Sequence, residues 1–216
     1  QHGYYGTQRV FRAYAKFSGD AIDATIGRQR IPLGAGRLWS ALDMLNPVNP
    51  VQLERDEYIG VDAALVDYKI GPLSKVSLIY APDPARMSDR WIGQYRTNVH
   101  GADLAFTYGK YAEDHLAGLD IATQFGDAGL RGEWTYTRPE FGAAYRKMVL
   151  GFDYVFANSL SISMEAYYNS RSERDMAAQF AKRPLLAYLQ PIGKRYLGMV
   201  IGYELTPLVK MTTYVL

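Results

Sequence analysis

Apolar and polar residues alternate with a period of two along most of this chain, and no other feature limits the fold as strongly. The stretch GFDYVFANSLSISMEAYYNS, residues 151–170, is the clearest example. Before the turn 157–159, aromatic residues alternate with Asp153; after it, leucine, isoleucine and methionine alternate with serines and Glu165. Alternation with this period predicts β-strands that have one apolar face and one polar face.

Alternating segments of about 8 to 11 residues recur along the sequence, separated by turn residues, which predicts about twelve strands. Short connections such as 126–129 take turns with longer ones such as Pro32–Glu57 and 170–194. An up-and-down meander then has all short turns at one end and all long loops at the other. In the last long loop, Ser172 as an N-cap and apolar residues at helical spacing predict a short helix that ends at Pro184.

Two architectures fit many alternating strands: a soluble β-sandwich and a membrane β-barrel. The predicted strands match the roughly 9 to 11 tilted residues that cross a bilayer, whereas soluble strands average about 5 or 6. The apolar face is almost free of charge in mid-strand, as expected where a lipid-facing charge at mid-membrane costs about 2 to 4 kcal/mol. Aromatic residues such as Trp134 and Tyr168 lie near the ends of the apolar faces, where membrane proteins carry aromatic girdles.

We therefore predict one all-β domain over residues 1–216, a transmembrane antiparallel up-and-down β-barrel with its apolar face toward lipid. Closure of such a sheet pairs every backbone group within the bilayer. The chain starts at Gln1 and ends in mid-alternation at Leu216. We expect it to be a piece of a longer protein, with the barrel incomplete at both ends.

Composition excludes several classes of protein. The 216 residues carry a formal charge of +2, without the basic excess of a nucleic-acid-binding domain. Cysteine is absent, which removes disulfides and thiolate metal sites. There is no run of about 18 apolar residues, the length that a transmembrane helix needs. The 18 tyrosines suit a boundary between apolar and aqueous surroundings.

The block from Gly27 to Tyr68 resembles outer-membrane barrel proteins of Gram-negative bacteria. It is similar to porin-like families related to alginate-export channels and to uncharacterised proteobacterial barrels. The residues that carry the resemblance are Gly27-Arg28-Gln29 at a strand end and Asp43, Asn46 and Pro47 in the following loop, with LRGEWTY and EAYYN as further strand phrases. The resemblance implies a location in the outer membrane, with short turns toward the periplasm and long loops outside. It does not identify a solute.

The Pro32–Glu57 loop is the leading candidate for a functional element. Its middle is apolar, with Leu38, Trp39 and Leu42. One hypothesis is that the loop folds into the lumen and narrows it; the other is that it caps the outer rim or contacts a partner.

Charged residues of both signs are predicted to face the lumen or line its constriction. They could form a permeation path, or they could pair across neighbouring strands, and the mixture of signs favours pairing. The candidates are Arg12, Lys16, Arg37, Asp43, Asp103, Asp120, Arg131, Glu133, Lys147, Asp153, Glu165 and Glu204.

We expect no enzyme, cofactor or metal site, because the histidines His100 and His115 have no serine or ligand cluster near them in the sequence. The predicted function is a porin-like channel for passive or weakly selective diffusion of small polar solutes. The alternative is a structural barrel in an envelope complex, plugged by its loops or by a partner. Expected partners are membrane lipid and lipopolysaccharide, with self-association and an envelope protein left open.

Overall fold

The computed structural model describes residues 10–43, 45, 60–83, 88–111, 113–171, 193–206 and 208–216. Twelve strands form one antiparallel sheet in which each strand pairs with its neighbours in the sequence. The strands are β1 (Ala13–Ser18), β2 (Ile22–Gln29), β3 (Val61–Lys69), β4 (Lys75–Asp83), β5 (Ser88–Val99), β6 (Ala102–Tyr111), β7 (Asp114–Phe125), β8 (Ala128–Arg138), β9 (Tyr145–Val155), β10 (Leu160–Asn169), β11 (Arg195–Thr206) and β12 (Val209–Val215).

The prediction of an all-β, up-and-down antiparallel meander of twelve strands is confirmed. β1 and β12 are the two edges of the sheet and do not pair with each other in the described part of the chain, so the sheet is not closed. Within the described residues, no helix is long and apolar enough to span a membrane. The helix predicted from Ser172 falls in 172–192, outside the described residues.

The hairpin of β9 and β10 has the register that the alternation predicts. Phe152 lies opposite Met164, and Asp153 lies opposite Ser163. The backbone N–H of Phe156 donates to the carbonyl of Leu160 over 2.8 Å and closes the turn. Apolar residues of both strands therefore share one face, and Asp153 and Glu165 share the other.

The alternation of short and long connections is less strict than predicted. Tyr111 of β6 still pairs with Asp114 of β7, so the predicted longer connection there contains only residues 112 and 113. The two strands remain hydrogen-bonded to their ends, which leaves a connection as short as the turns at the other end of the sheet.

Because each strand pairs in register with its neighbours, the same two faces continue across all twelve strands. The face that we call the apolar face carries exposed large side chains, including Leu150 at 61% and Leu197 at 65% exposure. The opposite face, which we call the polar face, carries Glu133 and Glu165 at 3% and 1% exposure. In a soluble domain the buried face would be the apolar one.

Charged residues on the polar face are buried because a segment of the chain covers them. After β2, residues 31–43, which we call the crossing segment, lie against this face. Leu42, near the end of the segment, joins Ile79, Ile92 and Leu116 of β4, β5 and β7 in one apolar cluster. Leu38 and Trp39 join Val149 of β9 and Tyr167 of β10 in a second cluster, against which Tyr196, Val200 and Tyr214 pack.

The crossing segment thus spans the sheet from β3 to β12. Leu38 and Leu42 are completely buried, and burial of each leucine contributes about 1.5 to 3 kcal/mol. Of the rest of the predicted loop, Leu45 is described and belongs to the first cluster, and residues 44 and 46–57 lie outside the described residues.

Candidate functional site

The carboxylate of Glu165, on β10, binds the backbone of the crossing segment. It accepts hydrogen bonds from the N–H groups of Arg37 at 2.6 Å, Leu38 at 2.6 Å and Trp39 at 3.0 Å. Successive N–H groups that point at one anion form a concave site of partial positive charge. The buried carboxylate is therefore satisfied by the segment, and the segment is held in place by the carboxylate.

Glu133, on β8, binds a second group of donors in the same segment. Its carboxylate accepts from the N–H groups of Gly36, of Ala41 at 2.6 Å and of Leu42 at 3.1 Å. The Ser40 hydroxyl donates to it over 3.0 Å and accepts the N–H of Asp43 over 2.8 Å. Together the two glutamates bind six backbone N–H groups between residues 36 and 42.

Arg131, also on β8, connects Glu165 to the neighbouring strand β9. Its Nε and Nη2 donate to the two carboxylate oxygens of Asp153 over 2.8 and 3.0 Å. Its Nη1 donates to Glu165 Oε1 over 2.8 Å and to the carbonyl of Ala35 over 3.0 Å. One guanidinium therefore links two carboxylates of the sheet and the crossing segment.

Glycines make room for these contacts. A Cβ at Gly198 would lie 2.7 Å from both Leu38 Cδ1 and the Trp39 ring, and a Cβ at Gly118 would clash with the Leu42 side chain. A Cβ at Gly34, whose φ is +87°, would meet the Glu133 carboxylate. Gly118 and Gly198 thus form notches in the polar face that apolar side chains of the crossing segment fill. Gly34, in the segment itself, leaves space for the Glu133 carboxylate.

Trp39 is held by tyrosines of β10 and β11. Its ring centroid lies 6.3 Å from that of Tyr167 and 5.7 Å from that of Tyr196, and the two tyrosine rings are 6.1 Å apart. Tilted pairs at these distances contribute beyond their buried area.

Five of the predicted lumen residues meet in this cluster: Arg37, Arg131, Glu133, Asp153 and Glu165. Arg37 Nη1 lies 3.0 Å from Asp153 Oδ1, with about half of the Arg37 side chain exposed. In the structure, these charges form ion pairs with one another and hydrogen bonds to the crossing segment.

Three other predicted residues are buried nearby. Asp43 accepts the N–H of Leu45 over 3.0 Å. Asp120 lies opposite Glu133 in the β7–β8 register, and Lys147 lies opposite Thr135 with its ammonium 5.7 Å from the Tyr145 ring centroid.

The remaining four predicted residues lie away from the cluster. Each is exposed, and Asp103 accepts a hydrogen bond from Asn98 over 2.8 Å. They are Arg12, Lys16, Asp103 and Glu204.

A polar groove remains beside the crossing segment. It has a volume of about 260 Å³, and Arg37, Asp153 and Lys210 line it together with the hydroxyls of Ser161, Ser163 and Thr212.

Two of the three histidines, His100 and His115, lie at or beside strand ends. His100 has a φ of +52° in the turn between β5 and β6, and His115 Nδ1 lies 2.9 Å from the Tyr108 hydroxyl. In the described part of the chain, no three histidine or carboxylate side chains converge as metal ligands would.

Sequence reasoning missed the apolar patch on the polar face that receives the segment. A signal was present: Leu78 and Ile79 are adjacent, as are Trp91 and Ile92, so these strands are apolar on both faces. Apolar residues on the second face of a strand indicate that this face, too, lies against another part of the chain, as Ile79 and Ile92 do.

Comparison of the chain with protein-family models, with curated protein sequences and with solved structures finds no match.

Proposed function

We propose that this chain forms part of a membrane β-barrel channel, in the outer membrane of a Gram-negative bacterium, whose lumen is narrowed by the crossing segment. The observation that carries the proposal is the inverted polarity of the sheet: carboxylates are buried on one face while leucine, phenylalanine and tryptophan are exposed on the other. Such an apolar surface on twelve neighbouring strands is stable next to lipid and unfavourable in water. The resemblance of the Gly27–Tyr68 block supports the same membrane.

The groove beside the crossing segment supports a route for small polar solutes. Its lining combines two cations, one carboxylate and several hydroxyls. Groups of this kind replace part of the hydration shell of a passing solute. The mixture of charges fits weak selectivity.

A structural barrel without conduction is the second candidate. Leu38, Leu42 and Trp39 are buried against both halves of the sheet, which favours a plug that water does not cross.

Conductance in a planar lipid bilayer distinguishes the two candidates. We expect stepwise conductance from the full-length protein, because the sheet of the described residues is not closed by itself. The double variant E133Q/E165Q should show larger or noisier steps, because each glutamine loses the charge and one of the two acceptor oxygens that hold the segment. The matched control is Glu204→Gln, which removes an exposed carboxylate that does not contact the segment. If neither the parent protein nor the double variant conducts, the channel is refuted and the structural barrel is supported.

A further inference from the structure

Three arginines lie together on the apolar face, at the end of the strands that carries the long loops. Register places Arg138 of β8 opposite His115, Arg146 of β9 opposite Tyr136, and Arg195 of β11 opposite Tyr168. We call Arg138, Arg146 and Arg195 the basic rim. All three are exposed.

The basic rim differs from Arg28 and Lys110 on this face because none of its arginines forms an ion pair with a carboxylate of the described residues. Arg28 forms an ion pair with Asp62 at 2.7 Å, and Lys110 forms one with Glu113 at 3.1 Å. Within the described ranges, no carboxylate lies within ion-pair distance of the guanidinium groups of the basic rim. This sector of the sheet therefore has a local excess of positive charge.

Aromatic and aliphatic residues adjoin the basic rim. Tyr136 lies opposite Arg146 and Tyr168 lies opposite Arg195, at the same level as these cations. Trp134, Leu150 and Leu197 lie nearer the strand centres. Cations and aromatic rings near the strand ends, with aliphatic side chains toward the centres, are the arrangement expected where a headgroup region adjoins hydrocarbon.

The other end of the same strands lacks this arrangement. There the apolar face of the described residues ends in Phe125, Tyr154, Leu160 and Tyr203, without a cation. The basic excess thus belongs to one leaflet, the one at the long loops.

We propose that Arg138, Arg146 and Arg195 bind the phosphorylated headgroup of a membrane lipid in the leaflet at the long-loop end. Guanidinium groups donate two parallel hydrogen bonds to phosphate, which a lysine does not. Neighbouring strands are about 4.8 Å apart and successive residues about 3.4 Å apart, and register staggers the arginines by two residues each. The backbone sites of Arg138 and Arg146 are therefore about 8 Å apart, and Arg195 lies about 12 Å from Arg146, separations that a headgroup with two phosphates can bridge. The acyl chains would lie on Leu150 and Leu197. The proposal rests on the proposed membrane position of the sheet.

Native mass spectrometry of the protein in a neutral detergent tests the proposal, with diphosphoryl lipid A and phosphatidylcholine as probes. We expect lipid A to remain bound to the parent protein. The variant R138Q/R146Q/R195Q should bind it on the order of a hundredfold more weakly, since each arginine near an anionic surface contributes about fivefold. The control R12Q/K16Q/K210Q removes three exposed cations away from the basic rim and should retain lipid A.

Lipid A binding that is unchanged in the rim variant would overturn the proposal, and so would equal retention of phosphatidylcholine. Displacement of lipid A by inorganic phosphate alone would assign the arginines to a free anion, and it too would refute the lipid site. Flotation of the parent protein with lipid vesicles separates this from the proposed function: a protein that floats but does not select lipid A is a membrane barrel without this site.

Discussion

Arg131 and Glu165 form a buried ion pair across the polar face, with Nη1 of the arginine 2.8 Å from Oε1 of the glutamate. The arginine side chain is 8% exposed and that of the glutamate is fully buried. Removing Arg131 leaves the buried Glu165 carboxylate without its counterion, and removing Glu165 leaves Arg131 paired with Asp153 alone. The same glutamate holds three backbone N–H groups of the crossing segment, so the pair also determines how firmly the segment is attached.

We predict that Arg131→Met and Glu165→Gln each lower the free energy of unfolding by about 3 to 5 kcal/mol, the usual cost of breaking a buried pair. The double variant should lose less than the sum. Denaturant unfolding in detergent micelles, analysed as a double-mutant cycle, measures the coupling. The control is the exposed pair of Lys110 and Glu113, where Lys110→Met should cost less than about 1 kcal/mol. Additive losses at Arg131 and Glu165 would contradict the coupling.

Gly198 should not tolerate a larger residue. Gly198→Ala adds a Cβ 2.7 Å from both Leu38 and Trp39, and we expect a loss of about 1 to 3 kcal/mol from overpacking. Thermal unfolding measures it. Leu38→Ala in the same chain should recover part of the loss, because it removes the Leu38 Cδ1 atom, one of the two groups that the new Cβ would meet at 2.7 Å. Gly93→Ala, whose Cβ would meet only Leu78 at 3.8 Å, is the matched control and should be near neutral. An equal effect at both glycines would argue against the notch.

An arginine on the apolar face distinguishes a lipid-facing surface from a water-facing one. Leu150 lies at the middle of β9 and is 61% exposed. Leu150→Arg should destabilise the protein in lipid vesicles by about 2 to 4 kcal/mol, the cost of a charge at the bilayer midplane. Reversible unfolding from vesicles gives this value, with Leu208→Arg in the exposed β11–β12 connection as a near-neutral control. A neutral Leu150→Arg would mean that water, and not lipid, covers this face.

Under the proposed channel function, the charge of Arg37 should influence which ions pass the groove. The Arg37 side chain is about half exposed where it meets Asp153, so Arg37→Gln should change the stability by less than about 1 kcal/mol. In this variant the negative charge of Asp153 is less neutralised, so the selectivity of the groove should shift toward cations. Reversal potentials in a salt gradient report the shift. Lys110→Gln, on the apolar face, removes the same charge outside the groove and should leave the potential unchanged. An identical shift for both variants would place Arg37 outside the ion path.

Local patterns in the sequence were sufficient for the strands and their faces. The alternation around Asp153 and Glu165 predicted both strands of their hairpin, its turn and the face on which each carboxylate lies. The alternation of connections was less reliable, because the pairing of Tyr111 with Asp114 shortens a connection that the sequence presents as longer. Charge sign favoured ion pairing on the polar face, and Arg131, Asp153 and Glu165 form such pairs.

Residue order alone predicts a meander of amphipathic strands, because side-chain direction in a strand depends only on residue parity and turn chemistry is local. The contacts of the polar face depend on residues that are brought together from distant parts of the chain. Glu165 binds the backbone of Arg37 across 128 residues of sequence, and Gly198 receives Leu38 and Trp39 from a distant loop. Backbone N–H groups are the same at every residue except proline, so no side-chain pattern indicates which of them a distant carboxylate will bind.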